Sequence, residues 1–535
     1  MGLLGRQSIF HARTGTALVV LALMLGPVYG AHAQTATADG GTDVTSPTTV
    51  DIQALPASVN AAAPASNPLP FMHPGGDAAL QRARAAAPAQ PAPGIVQNTG
   101  FGAATPPTII KGGPAVRYSD TTCGCYPPDG AIAVGKSYVI AAANTAFKIY
   151  RTSGSLVFGP QEFSSFFSGA GCKSSYSDPT VDYDVASDRY IIEILSFSAT
   201  TGSSNICIAL SQTNNPTGSW TRYAIPVQGG SNYLLDFPHL AIGTSAIYLS
   251  GNLFTCALLC LSSTFLGARV YALNKSQMYA GTAVTSVYRT LSSSYDTVWP
   301  ARSTGSNIDP GYFLAVDNTL CPATCSNLYL WKWTDPFGTN QFTFRGSVGI
   351  GNFGEPIVAP QNGGTVTTND SRNLQAYLFN GTVYGAHAIS CPQSTGTGTI
   401  DCVQWYQLGN VDGPGAPVLI QSGTLGADGQ YRFFPSLAVD KVGDMSIAYS
   451  YSSGTDYIGI RYTGRLATDA LGTVQAEGVV KAGEAYNAKA SSRWGDYASE
   501  VVAPDGCTIV HLEEYAPSGT VWSTWMGAWK FANCQ

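Results

Sequence analysis

One short element recurs along the chain and constrains the fold more than any other feature of the sequence. It consists of a proline, two or three further residues and a short apolar run, and its copies lie 51 to 79 residues apart. The copies are found at Pro128, Pro179, Pro238, Pro300, Pro356 and Pro435, and a seventh, residues 493–497 (RWGDY), lacks the proline. A repeat of this length is typical of folds built from one small sheet per unit.

The segments between these copies favour strands throughout. Short β-branched and aromatic runs, such as residues 190–194 (YIIEI), alternate with Gly, Ser, Asn and Pro, and Asn380-Gly381 is a hairpin signal. We therefore expect an all-β fold, a β-propeller of seven four-stranded blades over residues 106–535. A β-sandwich or jelly roll is the alternative, but it does not repeat at this period. The interval of 79 residues leaves six or eight blades open.

Charge excludes two classes of protein. Charged residues make up 11% of the chain, against about 25% in ordinary soluble domains. Lys and Arg total 27 against 33 Asp and Glu, which leaves no basic footprint for nucleic acid. A long coiled coil needs far more Glu, Lys and Leu than this chain has.

The N-terminus has the pattern of an export signal. Arg6 and Arg13 accompany an apolar run at residues 16–30, and Ala31-His32-Ala33 forms a small-x-small cleavage site. Residues 1–33 are thus predicted to be a signal peptide, with an uncleaved anchor as the alternative. Residues 34–105, rich in Ala, Pro and Thr, are predicted to be a disordered linker. We expect a secreted or periplasmic protein with no membrane span after cleavage.

The cysteines agree with export. An even number in an exported chain indicates disulfides. The spacing suggests the pairs Cys123/Cys125, Cys172/Cys207, Cys256/Cys260, Cys321/Cys325, Cys391/Cys402 and Cys507/Cys534. Zinc is the alternative, but the four histidines after the signal are isolated, so we expect no metal at the cysteines.

Several segments resemble a known group of proteins. Residues 493–497 (RWGDY), 505–507 (DGC), 513–515 (EEY) and 525–531 (WMGAWKF) are similar to the closing blade of exported bacterial β-propeller proteins, most of them uncharacterised. Residues 127–131, 144–150 and 178–184 look like the early blades of the same group. The resemblance covers most of residues 120–531. It implies the fold and export, and it implies no reaction.

A second resemblance is to sialidase-type propellers. Residues 211–220 (SQTNNPTGSW) resemble the hairpin turn called an Asp box, with Asn215 where the central Asp is expected. Such turns are structural even in enzymes.

Charged residues near the repeat starts are the candidate site, because the starts of innermost strands ring one mouth of a propeller channel. Candidate acid–base residues are Asp129, Asp178, Glu355, Asp496 and His239. Arg302, Arg432 and Arg493 are candidates for binding a carboxylate. The alternative for each is a structural ion pair or cap between blades. Trp299, Trp331, Trp333 and Trp405 are predicted to line a carbohydrate platform or to fill the space between blades.

No cofactor is expected, apart from structural calcium. Asp182, Asp184 and Asp188 resemble a carboxylate cluster for that ion, although their spacing departs from the EF-hand loop and a solvated turn is the alternative. No G-x-S-x-G, phosphate-loop, dinucleotide or H-E-x-x-H motif occurs.

Two functions follow from the sequence. The first is a monomeric exported propeller that binds an extracellular glycan or protein partner through its loop-rich channel face. The alternative is a glycoside hydrolase or polysaccharide lyase that acts on an acidic polysaccharide. If the three arginines do not converge on one pocket, the second hypothesis loses its main support.

Overall fold

The chain folds into a ring of small antiparallel sheets. A computed structural model describes residues 40–55, 100–198, 200–227, 232–256, 263–304, 311–318, 325–395, 398–518 and 521–535. The predicted signal peptide lies outside these residues. No helix within them is long and apolar enough to cross a membrane.

Three strands precede the first complete blade, and they are β1 (Gly40–Thr45), β2 (Thr48–Asp51) and β3 (Thr108–Arg117). Blade 1 consists of β4 (Ala131–Val134), β5 (Tyr138–Ala143), β6 (Ala146–Arg151) and β7 (Leu156–Glu162). Blade 2 contains β8 (Ser175–Asp184), β9 (Arg189–Ser198), β10 (Ser203–Ser211) and β11 (Ser219–Pro226). Blade 3 contains β12 (Tyr233–Ile242), β13 (Ala246–Thr255), β14 (Phe265–Asn274) and β15 (Val284–Thr290).

The next strands of the chain build blades 4 and 5 and two insertions. They are β16 (Trp299–Pro300), β17 (Arg302–Ser303), β18 (Gly311–Val316), β19 (Cys325–Thr334), β20 (Gln341–Phe353), β21 (Ala359–Gln361), β22 (Gly364–Val366), β23 (Asn373–Phe379), β24 (Thr382–Pro392), β25 (Thr399–Gly409) and β26 (Val418–Leu425). Blade 4 comprises β16, β18, β19 and β20, and blade 5 comprises β23 to β26. β21 and β22 form a separate hairpin between these two blades.

The last strands complete the ring. They are β27 (Gln430–Val439), β28 (Met445–Ser453), β29 (Gly459–Arg465), β30 (Gly478–Lys481), β31 (Ser499–Val502), β32 (Ile509–Ser518) and β33 (Val521–Lys530). Blade 6 is β27 to β30, and blade 7 is β31 to β33 with β3 added as its outer strand. Short helices are few and comprise α1 (Phe163–Phe166), α2 (Lys275–Tyr279) and 3₁₀ turns at Ile52–Ala54, Tyr118–Asp120 and Ala488–Ser491.

The structure confirms the predicted seven-bladed propeller. Innermost strands of successive blades contact one another in the order β4, β8, β12, β16, β23, β27, β31 and back to β4. The proline element marks most of these strands, but Pro356 precedes the β21–β22 hairpin, and the inner strand of blade 5 begins later, at Asn373. This inserted hairpin is why the spacing of the prolines is irregular.

Part of the predicted linker belongs to the propeller. β1 pairs antiparallel with β15 and β2 pairs antiparallel with β11, so each becomes a fifth, outer strand of blade 3 or blade 2. The disorder predicted for residues 40–55 is therefore wrong. We call residues 40–51 the strap, because they connect the outer edges of two adjacent blades.

The core lies between the blades. One cluster, for example, packs Ile191 and Ile208 of blade 2 against Leu249 and Leu273 of blade 3. Trp331, Trp333 and Trp405 are fully buried in such clusters, so their role is inter-blade packing and not a carbohydrate platform.

Disulfides join neighbouring strands and loops. Four of the predicted pairs are present, namely Cys123–Cys125, Cys172–Cys207, Cys391–Cys402 and Cys507–Cys534. Cys256 and Cys325 are also disulfide-bonded. Their predicted partners, Cys260 and Cys321, lie outside the described residues.

A short segment crosses the central channel. β17 pairs in parallel with β23 on the inner edge of blade 5. From there the Arg302 side chain donates to the carbonyl oxygens of Val181 in blade 2, at 3.0 Å, and Leu240 in blade 3, at 3.3 Å. Thr304 Oγ1 donates to the carbonyl oxygen of Val439 in blade 6. Residues 302–304 thus span the channel near the ends of its inner strands.

Candidate functional site

Backbone strain marks one mouth of the channel. In six blades, a non-glycine residue with positive φ lies at or just before the inner strand, and these residues are Asp129, Asp178, Phe237, Thr297, Asn369 and Phe434. At Asp178, Phe237 and Phe434, the register of the inner strand shifts by a bulge. A left-handed conformation is rare for a phenylalanine and is tolerated where the surroundings fix it, often at functional sites. A left-handed residue thus recurs at this mouth in six blades, and in three of them a bulge accompanies it.

Asn144 connects the first two blades at this mouth. Its Nδ2 donates to Asp129 Oδ2 at 2.6 Å, and its Oδ1 accepts from the backbone N–H of Asp178 at 2.7 Å. Asp178 Oδ2 in turn accepts from the backbone N–H of Phe237, in blade 3, at 3.2 Å. Two of the predicted site residues are thereby held in one polar chain.

Blade 7 adds an ion pair. Arg493 Nη2 lies 2.5 Å from Asp496 Oδ2, and Asn369 Nδ2 donates to Asp496 Oδ1 at 2.5 Å. Asn369 Oδ1 also accepts from Arg493 Nη1 at 3.3 Å. The Arg493 side chain is 30% exposed and that of Asp496 only 8%, so solvent reaches the acid past the guanidinium.

Five carboxyl groups therefore belong to one site, which we call the acid cluster: Asp129, Asp178, Glu193, Asp496 and Glu514. All five are buried. Glu193 pairs across blade 2 with Thr180, whose hydroxyl donates to Glu193 Oε2 at 2.7 Å. Gly495 lies so close to the Glu514 carboxyl that a side chain has no room there.

Burial raises the pKa of three of these acids. The pKa of Asp129 is raised well above its ordinary value by burial and by the neighbouring Asp496 and Asp178 carboxyls. Burial also raises the pKa of Glu193 well above its usual range and that of Glu514 to about 8. Arg493 meanwhile forms an ion pair with Asp496. Carboxyls that burial makes harder to ionise thus lie beside one that is paired with an arginine.

Several oxygens of the site have no hydrogen-bond partner within the described residues. They are Asp129 Oδ1, Glu193 Oε1, both carboxyl oxygens of Glu514 and the hydroxyl of Tyr497. Buried polar groups are nearly always hydrogen-bonded. Water or a ligand at the mouth can supply the missing donors.

His239 is not available as a base. Its ring stacks on Trp299 with centroids 3.5 Å apart and lies edge-on to Phe237. Burial, together with the charges of Arg372 and Arg302, lowers its pKa well below the ordinary value. We therefore assign His239 to packing beside the channel.

The three arginines do not converge. Arg432 is fully buried inside blade 6, where Nε lies 2.7 Å from Glu477 Oε1. Arg302 lies at the other end of the inner strands, 3.4 Å from Asp182. Arg493 alone belongs to the acid cluster, so the predicted three-arginine site for a carboxylate is wrong.

Glu355 does not precede an inner strand. It precedes the β21–β22 hairpin, and its Oε2 accepts from the backbone N–H of Ser371 at 2.7 Å. The expected placement before an inner strand is therefore wrong.

The carboxylates considered for calcium bind separate protein groups. Asp184 pairs with Lys275 at 2.7 Å, Asp182 with Arg302, and Asp188 with Lys136 at 3.2 Å. No group of three or more possible metal ligands is present in the described part of the chain. The Asp-box-like segment forms the β10–β11 hairpin, in which Asn215 Oδ1 accepts from Thr217 N at 3.1 Å.

A buried network between blades 6 and 7 has the residue types of a catalytic triad. Ser436 Oγ lies 3.1 Å from His511 Nδ1, and His511 Nε2 lies 3.0 Å from Glu513 Oε2. All three side chains are fully buried, so no substrate reaches Ser436. Burial lowers the pKa of His511 to about 3 and raises that of nearby Glu500 to about 8. This network is structural.

Sequence reasoning missed Asn144, Asn369, Glu193 and Glu514. Two of them carry a signal in retrospect. Glu193 interrupts the apolar run at residues 190–195, and Glu514 is the second of two successive acids within a strand. Acids are seldom fully buried without a partner, so an acid in an apolar strand is a candidate site residue.

Comparison with known proteins bears on the fold alone. No family model and no curated protein matches the chain. A protein of unknown function from Dyadobacter fermentans is 12% identical, with a TM-score of 0.38 over 79% of this chain and 99% of that one. A GH43 endo-arabinanase from Bacillus licheniformis is 14% identical, with a TM-score of 0.29 over 66% and 97%.

A third solved structure is the GH93 α-L-arabinofuranosidase of Fusarium graminearum in complex with arabinobiose. It is 12% identical, with a TM-score of 0.29 over 63% of this chain and 89% of that one. Identities this low assign no role to any residue.

Proposed function

We propose that the propeller binds a neutral glycan at the acid cluster. The observation that carries this proposal is the group of buried oxygens at Asp129, Glu193 and Glu514 that lack a donor. Sugar hydroxyls supply such donors in number, and each satisfied oxygen removes a cost of about 1–3 kcal/mol. Five carboxyls around one arginine disfavour an anionic ligand, so the acidic polysaccharide of the earlier hypothesis is replaced by a neutral one.

Binding is testable with defined variants. Asp129→Ala and Glu514→Ala remove the buried oxygens to which sugar hydroxyls would donate, so we expect each to weaken binding of a neutral oligosaccharide at least tenfold. Asp412→Ala is the matched control, since Asp412 is an exposed acid of blade 5 that pairs with Lys332. The measurement is isothermal titration with oligosaccharides identified on a glycan array. Preferential binding of anionic glycans, or equal loss in the control, contradicts the proposal.

Glycoside hydrolysis is the second candidate, and one observation favours it. Burial raises the pKa of Asp129 well above its ordinary value, while Asp496, beside it, is ion-paired with Arg493. A protonated acid next to an ionised one is the pair that glycosidases use, the first to protonate the leaving oxygen and the second to activate water or attack the sugar.

One variant distinguishes a hydrolase from a protein that only binds the glycan. If the protein is a hydrolase, Asp496→Asn abolishes the release of reducing ends, by 10³-fold or more, while a bound oligosaccharide is still retained. A protein that retains the glycan and releases no product from any neutral oligosaccharide is a binding protein only.

A further inference from the structure

A cavity of about 730 Å³ lies where the ring closes, between blades 7 and 1. Its walls are β3 and β33 on one side and the turns after β4 and β6 on the other. Asp129 of the acid cluster lies just before the first residue of the inner strand β4, and the cavity lies next to the turn that follows its last residue. The cavity therefore opens on the face of the propeller opposite to the acid cluster. Its volume is that of a small-molecule site, for which about 300–1,000 Å³ is usual.

The interior of the cavity is apolar because small residues line the seam. Val134, Val139, Val510 and Met526 form its floor. Gly112 of β3 faces Gly527 of β33 in register, and a Cβ on either would meet Trp525 or Val480, which do not line the cavity. A Cβ on neighbouring Gly113 meets no atom within 4 Å. The space is built into the sequence at the point where the first and last blades meet.

Three cations surround the opening. Lys111 reaches across it from β3 and donates to the carbonyl oxygens of Thr152, at 3.4 Å, and Ser153. Lys136 is 60% exposed and lies 3.2 Å from Asp188. Arg151 lies over the Tyr138 ring at 4.8 Å.

One acid, Asp505, also lines the cavity. Its oxygens accept from the backbone N–H groups of Cys507, at 2.9 Å, and Thr508, at 2.8 Å, so its charge is solvated by its own turn. With three cations and one acid, the cavity lining carries a net positive charge.

We propose that this cavity binds a single-chain anionic amphiphile, with the alkyl chain on the valine floor and the head group among Lys111, Lys136 and Arg151. An apolar interior favours a hydrocarbon chain by burial of its surface. Cations at the opening favour a carboxylate or phosphate head and disfavour an ammonium head. A sugar does not suit this interior, which distinguishes the cavity from the acid cluster.

Titration calorimetry of the full chain tests this assignment, with each amphiphile below its micelle concentration. Dodecanoate and dodecyl phosphate are expected to bind at one site, and dodecyltrimethylammonium at least tenfold more weakly. Any preference between the two anions identifies the head group. Gly113→Leu fills the cavity and is expected to lower the affinity for dodecanoate at least tenfold.

The double variant Lys136→Gln/Arg151→Gln keeps the test valid should Gly113→Leu not fold, because both side chains are at the surface. It is expected to lower dodecanoate affinity at least fivefold. Lys332→Gln, which removes a partly buried lysine in blade 4 that pairs with Asp412, is expected to leave the affinity for dodecanoate unchanged. The assignment is overturned by no binding of either anion, by equal affinity for the ammonium compound, or by full affinity in the double variant.

Discussion

Carboxyl groups inside this protein are held uncharged by burial. The pKa values of Glu500 and Glu514 are both raised to about 8, and the pKa of Glu513 is raised well above its usual range. Each such group keeps its proton in the folded protein and loses it on unfolding near neutral pH. Their burial therefore makes the free energy of unfolding decrease as the pH rises.

We expect the free energy of unfolding to fall as the pH rises from about 4.5 to about 8. In this window Glu500 binds a proton when folded and releases it when unfolded, because its pKa moves from 4.5 to about 8 on folding. Glu500→Gln removes the part of this dependence that Glu500 causes, and its stabilising effect grows with pH towards about 5 kcal/mol above pH 8. Thermal unfolding of both proteins between pH 5 and 9 measures this difference in stability.

The control for this prediction is Glu484→Gln, since Glu484 is 49% exposed. Its unfolding curve should follow that of the unmodified protein at every pH. A constant difference between Glu500→Gln and the unmodified protein across the range contradicts the prediction.

Which residues reach the site was only partly predictable. The repeat starts predict Asp129, Asp178 and Asp496 as site residues, and the structure brings these three side chains close together. The same reasoning predicts that Arg432 joins them, but Arg432 lies within β27. Alternate side chains of a strand point to opposite faces, so a shift of one position moves a side chain from the channel axis to the blade interior. A bulge causes such a shift, and the spacing of residues in the sequence does not reveal it.

Among the elements, the strap is the least expected. Its strands are short and polar, with the sequences GGTDVT and TTVD. Such segments do not form strands alone, and they are stabilised here by pairing with the outer edges of β15 and β11. Composition therefore predicted disorder, because the partner edge is not visible in the local sequence.

A chain that begins at residue 56 tests the contribution of the strap. We expect it to retain its circular dichroism spectrum and to lose about 2–5 °C in Tm, since the strap covers two edges and buries Ile52 against blade 2. A chain that begins at residue 35 keeps the strap and serves as the control. Equal Tm values for the two chains argue against this role.

For the molecule as a whole, closure of the ring depends on β3. This strand pairs with β33 and completes blade 7, although the two lie more than 400 residues apart in the sequence. The repeat predicted the ring and its seven blades, but it did not predict this pairing. Nothing in residues 108–117 specifies so distant a partner.

Removing β3 should have a larger effect than removing the strap. A chain that begins at residue 121 leaves blade 7 with three strands and exposes the edge of β33. An unpaired edge of ten residues promotes association between chains. We expect aggregates on size-exclusion chromatography and no cooperative urea transition, whereas the chain that begins at residue 56 remains monodisperse. A monodisperse, cooperatively folding product would show that closure is dispensable.

The segment at residues 302–304 limits what can pass along the channel. Its hydrogen bonds to blades 2, 3 and 6 place it across the channel near the ends of the inner strands. If the proposed glycan enters at the acid cluster, it meets this segment before it can pass through. We then expect binding through glycan chain ends, so that at equal mass shorter glycans offer more binding sites.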